Sequence, residues 1–243
     1  MIKVLFENSD LAVIDKPAGL VVYNPPGKQD NTLVDEIIKI WPSIRTEKWH
    51  ESFRAGIVHR LDKDTSGLII IAKNPQTQLL LQQQMKSHNI HKYYTLLCLG
   101  KTPTDGEIKT QTTRDAKQYN KQKISLMSFS WQKNKVKEAI TKYKTIQYYN
   151  YQNQTLSLVK AQILTGRTHQ IRNHFHYIGY PLIGDQMYFT KTSKNISYEL
   201  KIFRQFLHST TLEFNLPDGT IKKISSNLPK DLDDILISLK RST

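Results

Sequence analysis

The sequence is almost without cysteine. Its 243 residues include one, Cys98, so an internal disulfide is excluded. Cys98 lies in an apolar segment with strand-like composition, and we therefore expect a small, buried hydrophobic side chain at this position.

Long hydrophobic runs are also missing. The longest aliphatic run is Leu68 to Ala72, far below the roughly 20 apolar residues that span a bilayer. The N-terminus begins with strand-like residues, Ile2 to Phe6, instead of the apolar core of a signal peptide. We therefore expect a cytoplasmic protein.

Acidic residues are outnumbered. Lys and Arg total 35 against 21 for Asp and Glu, which gives a formal charge of +14 and a pI near 9.7. Such an excess favours a polyanionic partner, either a nucleic acid or an anionic membrane surface, and the lack of a long apolar segment makes the membrane the weaker option. No internal repeat, low-complexity tract or linker divides the chain, so we expect one catalytic domain over residues 1–243, in one body or two lobes.

A polar cluster before a buried strand is the most informative stretch. His59 to Ser66 precede Gly67 and the aliphatic run Leu68 to Ala72, and loops on rigid strands often hold catalytic groups. Asp62 has an arginine two positions back and a lysine beside it, which can keep a carboxylate ionised without a metal. The alternative is an ordinary solvated turn before a core strand.

Local patterns predict several further elements. We expect hairpins near residues 3–15 and 212–224, a capped helix after Thr32, a helix after Asn74, strands at 92–100 and 156–163, and a terminal helix behind Pro229. Residues 191–195 are expected to form a mobile loop. Trp49 and Phe53, in the loop from Ser43, are interpreted as core plugs, with RNA contacts as the alternative.

Basic residues are concentrated in a segment rich in Lys, Gln and Asn between Gly106 and Tyr143. They are interleaved with an aromatic residue: Arg114, Lys117, Tyr119, Lys121 and Lys123. This composition suits a surface that follows a phosphate backbone and stacks an exposed base, so we predict an RNA-facing hairpin. A merely solvated hairpin is the alternative.

The spacing becomes helical after Thr168. Ile171, Phe175 and Ile178 share one face, and Arg172 lies on a neighbouring face that we expect to point away from the core. A metal hydrolase built on three nearby histidines is an alternative function, although their spacing is not a common ligand pattern: His169, His174 and His176.

Three segments together resemble a known family. His59-Arg60-Leu61-Asp62-Lys63-Asp64-Thr65-Ser66-Gly67 resembles the signature loop of the RluA family of RNA pseudouridine synthases. Lys92-Tyr93-Tyr94 resembles the second motif of that family, and the segment Leu164 to Arg172 resembles the third. Further family-like segments extend the resemblance from about Lys3 to Ile224.

This resemblance implies specific roles. Asp62 would be the catalytic carboxylate, Tyr94 would lie against the target base, and Arg172 would pair with Asp62. The implied fold is α+β, with a mixed, mainly antiparallel central sheet flanked by helices and loops and a catalytic cleft across the sheet. No cofactor and no metal are implied. RNA contacts are expected from the basic segment and from four residues near the motifs: His59, Arg60, Arg167 and His169.

Target and assembly are less constrained. Many relatives carry a small RNA-binding domain ahead of the catalytic body, whereas this chain starts at the first catalytic strand, so we expect target choice to rest on the core and its basic hairpins. We expect a monomer acting on ribosomal RNA, with transfer RNA as an alternative. A noncatalytic RNA-binding protein for ribosome assembly, on the same fold, is the remaining alternative.

Overall fold

The computed structural model describes residues 2–24, 31–114, 122–124 and 137–241. The helices are α1 Leu33–Ile40, α2 Pro75–Lys86, α3 Gln170–Tyr177, α4 Lys191–Glu199 and α5 Lys230–Arg241. The strands are β1 Lys3–Glu7, β2 Leu11–Lys16, β3 Ser66–Ala72, β4 His91–Leu99, β5 Asp105–Arg114, β6 Gln122–Ile124, β7 Lys137–Tyr151, β8 Gln154–Ile163, β9 Leu207–Asn215 and β10 Ile221–Ser225. The predicted α+β class is confirmed.

The chain divides into two compact units. Unit 1 contains Met1–Lys92 and Ser209–Asn227, and unit 2 contains Tyr93–His208 and Leu228–Thr243. The expectation of a single catalytic domain over residues 1–243 stays a prediction.

Unit 1 is built on the strand order β1-β2-β3-β9, with β10 paired to β9. β1 with β2, β2 with β3, and β9 with β10 are antiparallel, so both predicted hairpins are confirmed. Every residue of β3 is buried, as its aliphatic run predicts. The core of this unit combines side chains from β2, β3, α2 and β9, including Leu11, Leu68, Leu81 and Phe214.

Unit 2 has the strand order β4-β8-β7-β5-β6. β7 pairs antiparallel with both β5 and β8, and β5 pairs antiparallel with β6. Its core joins strand residues to α4 and α5, and it includes Leu97, Tyr149, Ile196, Phe206 and Leu236. The apolar faces of α4 and α5 therefore cover apolar strand residues, and this burial stabilises the unit by removing apolar surface from water.

Helix boundaries follow local capping chemistry. Thr32 and Asp35 form the predicted capping box of α1, and Asn74 caps α2, where Pro75 takes the first helical position. Residues 191–195, expected to be a mobile loop, instead begin α4. The reason is a second capping box, in which the backbone N–H of Ser193 donates to Thr190 and that of Thr190 donates to Ser193.

Cys98 is fully buried, and burial raises the pKa of its thiol, so its role as a small hydrophobic side chain is confirmed. Across the part of the chain that the structure describes, no helix is long and apolar enough to cross a membrane.

Gly67 occupies the one place in the family-like loop where a side chain cannot fit. Its φ is +114°, and a Cβ there would lie 2.4 Å from the carbonyl oxygen of Ser209 on β9. The backbones of β3 and β9 can therefore approach each other at this point only because residue 67 lacks a side chain.

We expect Gly67→Ala to lower the free energy of unfolding by about 3 kcal/mol or more, because backbone strain adds to the clash with Ser209. Gly219→Ala is the matched control, since Gly219 also has a positive φ, +85°, but has no atoms within 4 Å of the added Cβ. Its loss should be only about 1 kcal/mol, from strain alone. Urea unfolding measures both, and equal losses would contradict the proposed clash.

Candidate active site

The loop that carries Asp62 is a short turn with anchored ends. The backbone N–H of Thr65 donates to the carbonyl of Asp62 at 3.1 Å, and the flanking side chains Leu61 and Thr65 are buried. Asp62 itself is partly exposed. The turn therefore holds a partly exposed carboxylate on a backbone that is fixed by its own hydrogen bond and by its buried neighbours.

A buried ammonium group supports this turn. Lys16 is 0% exposed, and its Nζ donates to the carbonyls of Pro17, Leu20 and Lys63 at 2.7, 2.8 and 2.9 Å. The carbonyl of Lys63 also accepts from the backbone N–H of Gly19 at 2.9 Å. Three carbonyl oxygens replace the water that the cation loses on burial. Lys16 thus ties the turn after β2 to the residue that follows Asp62, a role that the sequence did not suggest.

His59 binds the protein's own strand. Although part of the residue is exposed, its ring nitrogen Nε2 accepts a hydrogen bond from the backbone N–H of Ile70 in β3 at 3.1 Å. The ring is therefore neutral, with its proton on Nδ1. Burial, and to a smaller extent the nearby charge of Lys92, lower the pKa of His59 to about 3. The ring of His59 therefore has a structural role in holding the turn to β3, and its contact with RNA stays a prediction.

In unit 2, Arg172 lies on α3 and is buried, with 6% of its surface exposed. A polar partner accounts for this burial, so the expectation that Arg172 points away from the apolar core stays a prediction. Asp185 holds its guanidinium in a bidentate pair, with Nε to Oδ2 at 2.6 Å and Nη2 to Oδ1 at 2.9 Å. Asp185 is fixed in turn by the backbone N–H groups of Met187 and Tyr188. Sequence reasoning did not find this pair.

The orientation of Arg172 follows from these contacts. The ring of Tyr188 lies 5.3 Å from the guanidinium carbon, and Tyr188 is itself buried. Two of the five N–H donors of the guanidinium go to Asp185, and this bidentate pair fixes the plane of the group.

The other predicted site residues of unit 2 lie on β4 and next to the start of α3. Tyr94 is a buried residue of β4. Arg167 donates from Nε to the carbonyl of Glu138 at 2.8 Å, and Nδ1 of His169 lies 3.3 Å from the hydroxyl of Tyr188. Asp62 belongs to unit 1, so its pairing with Arg172 and its approach to Tyr94 stay predictions.

The basic segment forms a hairpin where it is described. β5 ends at Arg114 and pairs antiparallel with β6, which contains Lys123. Lys117, Tyr119 and Lys121 lie outside the described residues. The hairpin is therefore confirmed at its base, and its contact with RNA stays a prediction.

The three histidines of the metal alternative have other surroundings. His174 is fully buried, and its Nε2 lies 2.9 Å from the hydroxyl of Thr110; burial lowers the pKa of its ring to about 4. Among the described residues, no group of three or more His, Cys, Asp or Glu side chains is arranged to hold a metal ion. These geometries do not favour a metal hydrolase.

Comparison with known proteins identifies the family. Residues 10–177 match the family model described as RNA pseudouridylate synthase. The chain belongs to this family. It is an RNA pseudouridine synthase, an isomerase whose substrate is RNA, and the resemblance noted in the three motifs is confirmed.

Curated relatives extend the match over nearly the whole chain. "Ribosomal large subunit pseudouridine synthase D" of Pseudomonas aeruginosa is 34% identical over 248 residues, covering 99% of this chain and 72% of the relative. An "Uncharacterized RNA pseudouridine synthase" of Aquifex aeolicus is 37% identical over 196 residues, covering 79% of this chain and 57% of the relative.

The fold of the synthase also matches a solved structure. "Human RNA Pseudouridylate Synthase Domain Containing 1" superposes with a TM-score of 0.75 at 21% identity, covering 100% of this chain and 96% of the human one. At this identity the likeness shows the fold.

The pKa of His59 predicts a pH dependence of stability. The unfolded chain binds a proton on His59 near pH 6.5, whereas the folded ring stays neutral down to about pH 3. Stability should therefore fall as pH drops from 6.5 toward 3, by up to about 1.4 kcal/mol per pH unit from this group. We expect the unfolding free energy of His59→Gln, measured in urea between pH 7 and 5, to depend less steeply on pH than that of the wild type. The difference should correspond to the uptake of up to one proton fewer on unfolding. His50→Gln, at an exposed histidine, should keep the wild-type slope, and equal slopes in all three proteins would refute the assignment.

Asp185→Asn tests the clamp on Arg172. Removing one charge of a buried pair should cost about 3 kcal/mol of unfolding free energy, because the guanidinium stays buried. Arg204 and Asp231 form the matched control, with the same bidentate geometry at 2.6 and 3.0 Å but with Asp231 57% exposed. Asp231→Asn should therefore cost at most about 1 kcal/mol. Similar losses in the two variants, measured by urea unfolding, would contradict a special role for Asp185.

Proposed function

We propose that this synthase converts specific uridines of large-subunit ribosomal RNA to pseudouridine, with Asp62 as the catalytic carboxylate. The observation that carries the proposal is the nine-residue run from His59 to Gly67, which matches the family signature and forms an anchored turn around Asp62. Two relatives at 34% and 33% identity are named for the large ribosomal subunit, which supports ribosomal over transfer RNA.

The reaction defines what the site must do. The bond between uracil and ribose breaks, the base turns, and a carbon–carbon bond forms, without redox change or external energy. Attack on the sugar, attack on the base and removal of a sugar proton all require an ionised carboxylate in a fixed place. The turn from Asp62 to Thr65, held through the carbonyl of Lys63 by buried Lys16, supplies a fixed place.

We propose that Arg172 and Tyr94 complete the site. The guanidinium of Arg172, which Asp185 holds in one orientation, would pair with the carboxylate of Asp62 and offset its desolvation. Tyr94, on the rigid strand β4, would lie against the uracil and hold the detached base while it turns.

Substrate binding requires the target uridine to leave its stack. Extrusion costs a few kcal/mol, which protein contacts must offset. Arg60 is exposed and lies two residues before Asp62, so we propose that it contacts the RNA where the uridine leaves the helix. Arg167, His169 and the β5–β6 hairpin are proposed as further contacts, since they add positive or polar groups to a strongly basic chain.

Asp62→Asn should abolish pseudouridine formation while RNA affinity stays within about twofold, because the isosteric amide cannot act as a carboxylate. Activity is measured by mapping pseudouridine in ribosomal RNA from cells with the gene, without it, and with the variant. The site missing from both the deletion and variant strains identifies the target uridine.

Asp64→Asn is the matched control, because it removes a carboxylate two residues away in the same loop; it should retain substantial activity. A normal pseudouridine map in the Asp62→Asn strain would overturn the catalytic assignment. If the deletion impairs ribosome assembly and Asp62→Asn restores it without forming any pseudouridine, the noncatalytic assembly role is favoured instead.

A further inference from the structure

Two aromatic rings and two arginines gather on the surface of unit 1. The guanidinium carbon of Arg54 lies 4.7 Å from the ring centroid of Tyr23 and 5.2 Å from that of Phe53, and that of Arg60 lies 5.3 Å from the centroid of Tyr23. The two rings are 5.8 Å apart and tilted. We call these four residues the Tyr23 cluster. Phe53, interpreted from the sequence as a core plug, is only partly buried.

The charges of the Tyr23 cluster are poorly balanced. Arg54 and Arg60, both exposed, approach the same ring, where their positive charges repel each other. Arg54 pairs with Glu51 at 3.1 Å, but both side chains of that pair are more than 40% exposed, and such surface pairs contribute little. Arg60 has no carboxylate partner in the described part of the chain. An anion bound at this surface would offset the positive charge of both guanidinium groups.

The backbone beneath the Tyr23 cluster is held in place. The carbonyls of Val21 and Val22, just before Tyr23, accept hydrogen bonds from the first residues of α1 at 2.8 and 3.2 Å. On the other side, Gln78 of α2 donates to the carbonyls of Arg54 and Ile57 at 3.3 and 3.0 Å. A ligand that binds this surface therefore meets rings whose main chain is already ordered, which lowers the entropy cost of binding.

We propose that the Tyr23 cluster binds the nucleotide that neighbours the target uridine, with its base stacked on the partly exposed ring of Phe53 and its phosphate bound by Arg54 and Arg60. Aromatic rings interleaved with guanidinium groups match the two parts of a single-stranded nucleotide. The nucleotide is placed next to the target uridine because Arg60 of the cluster lies only two residues before Asp62. This inference rests on the proposed function and adds a specific contact to it.

The stacking contact is tested by a double-mutant cycle that removes the ring of Phe53 from the protein and one base from the RNA. Affinities are measured with Asp62→Asn protein, which does not consume the RNA, on a fragment centred on the mapped uridine. Phe53→Ala in this background should weaken binding about tenfold, the size of a lost base stack. On RNA that is abasic at the flanking nucleotide, 5′ or 3′, the same substitution should change affinity less than twofold for one of the two positions.

Two variants control for the loss of the ring itself. Phe203→Ala removes a ring that is 60% exposed and packs edge-on against Tyr198; it should leave the affinity unchanged. Phe53→Tyr keeps a stacking surface and should restore wild-type affinity. Melting temperatures within a few degrees of each other show that the variants are folded.

The phosphate contact is tested by charge. Arg54→Gln should weaken binding of the phosphodiester RNA about fivefold, but it should add nothing when the flanking phosphate is replaced by an uncharged methylphosphonate. Arg45→Gln removes an equally exposed arginine nine residues away. It should have the same small effect on both RNAs, because it changes only the general attraction to the polyanion.

The outcomes separate this inference from the proposed function. If the wild-type enzyme modifies the RNA but Phe53→Ala has no effect, or weakens the intact and both abasic RNAs equally, the inference is overturned and the function stands. If the wild-type enzyme modifies no ribosomal RNA, the proposed function fails, and the inference fails with it.

Discussion

The site depends on how the turn around Asp62 is attached to the fold. A turn exposes backbone polar groups, and such groups must find partners when they are close to a core. Here the ammonium of Lys16 donates a hydrogen bond to the carbonyl of Lys63. The ring of His59 accepts a hydrogen bond from the backbone N–H of Ile70 in β3, as a carbonyl of a neighbouring strand would. These two side chains connect the surface turn to the rigid sheet, and a rigid turn gives its carboxylate a defined position.

Unit 2 applies the same principle to a cation. Arg172 could adopt many rotamers on the surface of a helix, but burial against Tyr188 and the bidentate pair with Asp185 select one of them. Asp185 is in turn held by two backbone N–H groups, so the chain of contacts ends in the main chain. Each unit therefore orders its own charged group before any substrate binds, and preorganised charge is an effective way to stabilise a transition state.

Elements with strong local signals were predicted well. β3 follows from five consecutive aliphatic residues, and α1 follows from its capping box. The prediction of a loop over residues 191–195 was wrong because the capping box of α4 uses Ser193. Serine is favoured in turns as well as at helix N-termini, so its presence does not distinguish the two. The sequence did not decide between a core and a surface role for Phe53, which is partly buried. An aromatic residue in a polar loop is compatible with either role, and the elements that pack against it determine its exposure.

The sequence by itself determined the family, the polyanionic class of partner, the order of most helices and strands, and the identity of the motif residues, because these depend on composition and on neighbours along the chain. The tertiary structure decided which buried groups hold those residues: Asp185 for Arg172, and Ile70 for His59. Such pairs join residues that lie more than ten positions apart, and their contact depends on how whole elements pack. No local pattern records that packing, since each side chain is compatible with several partners until the core excludes all but one.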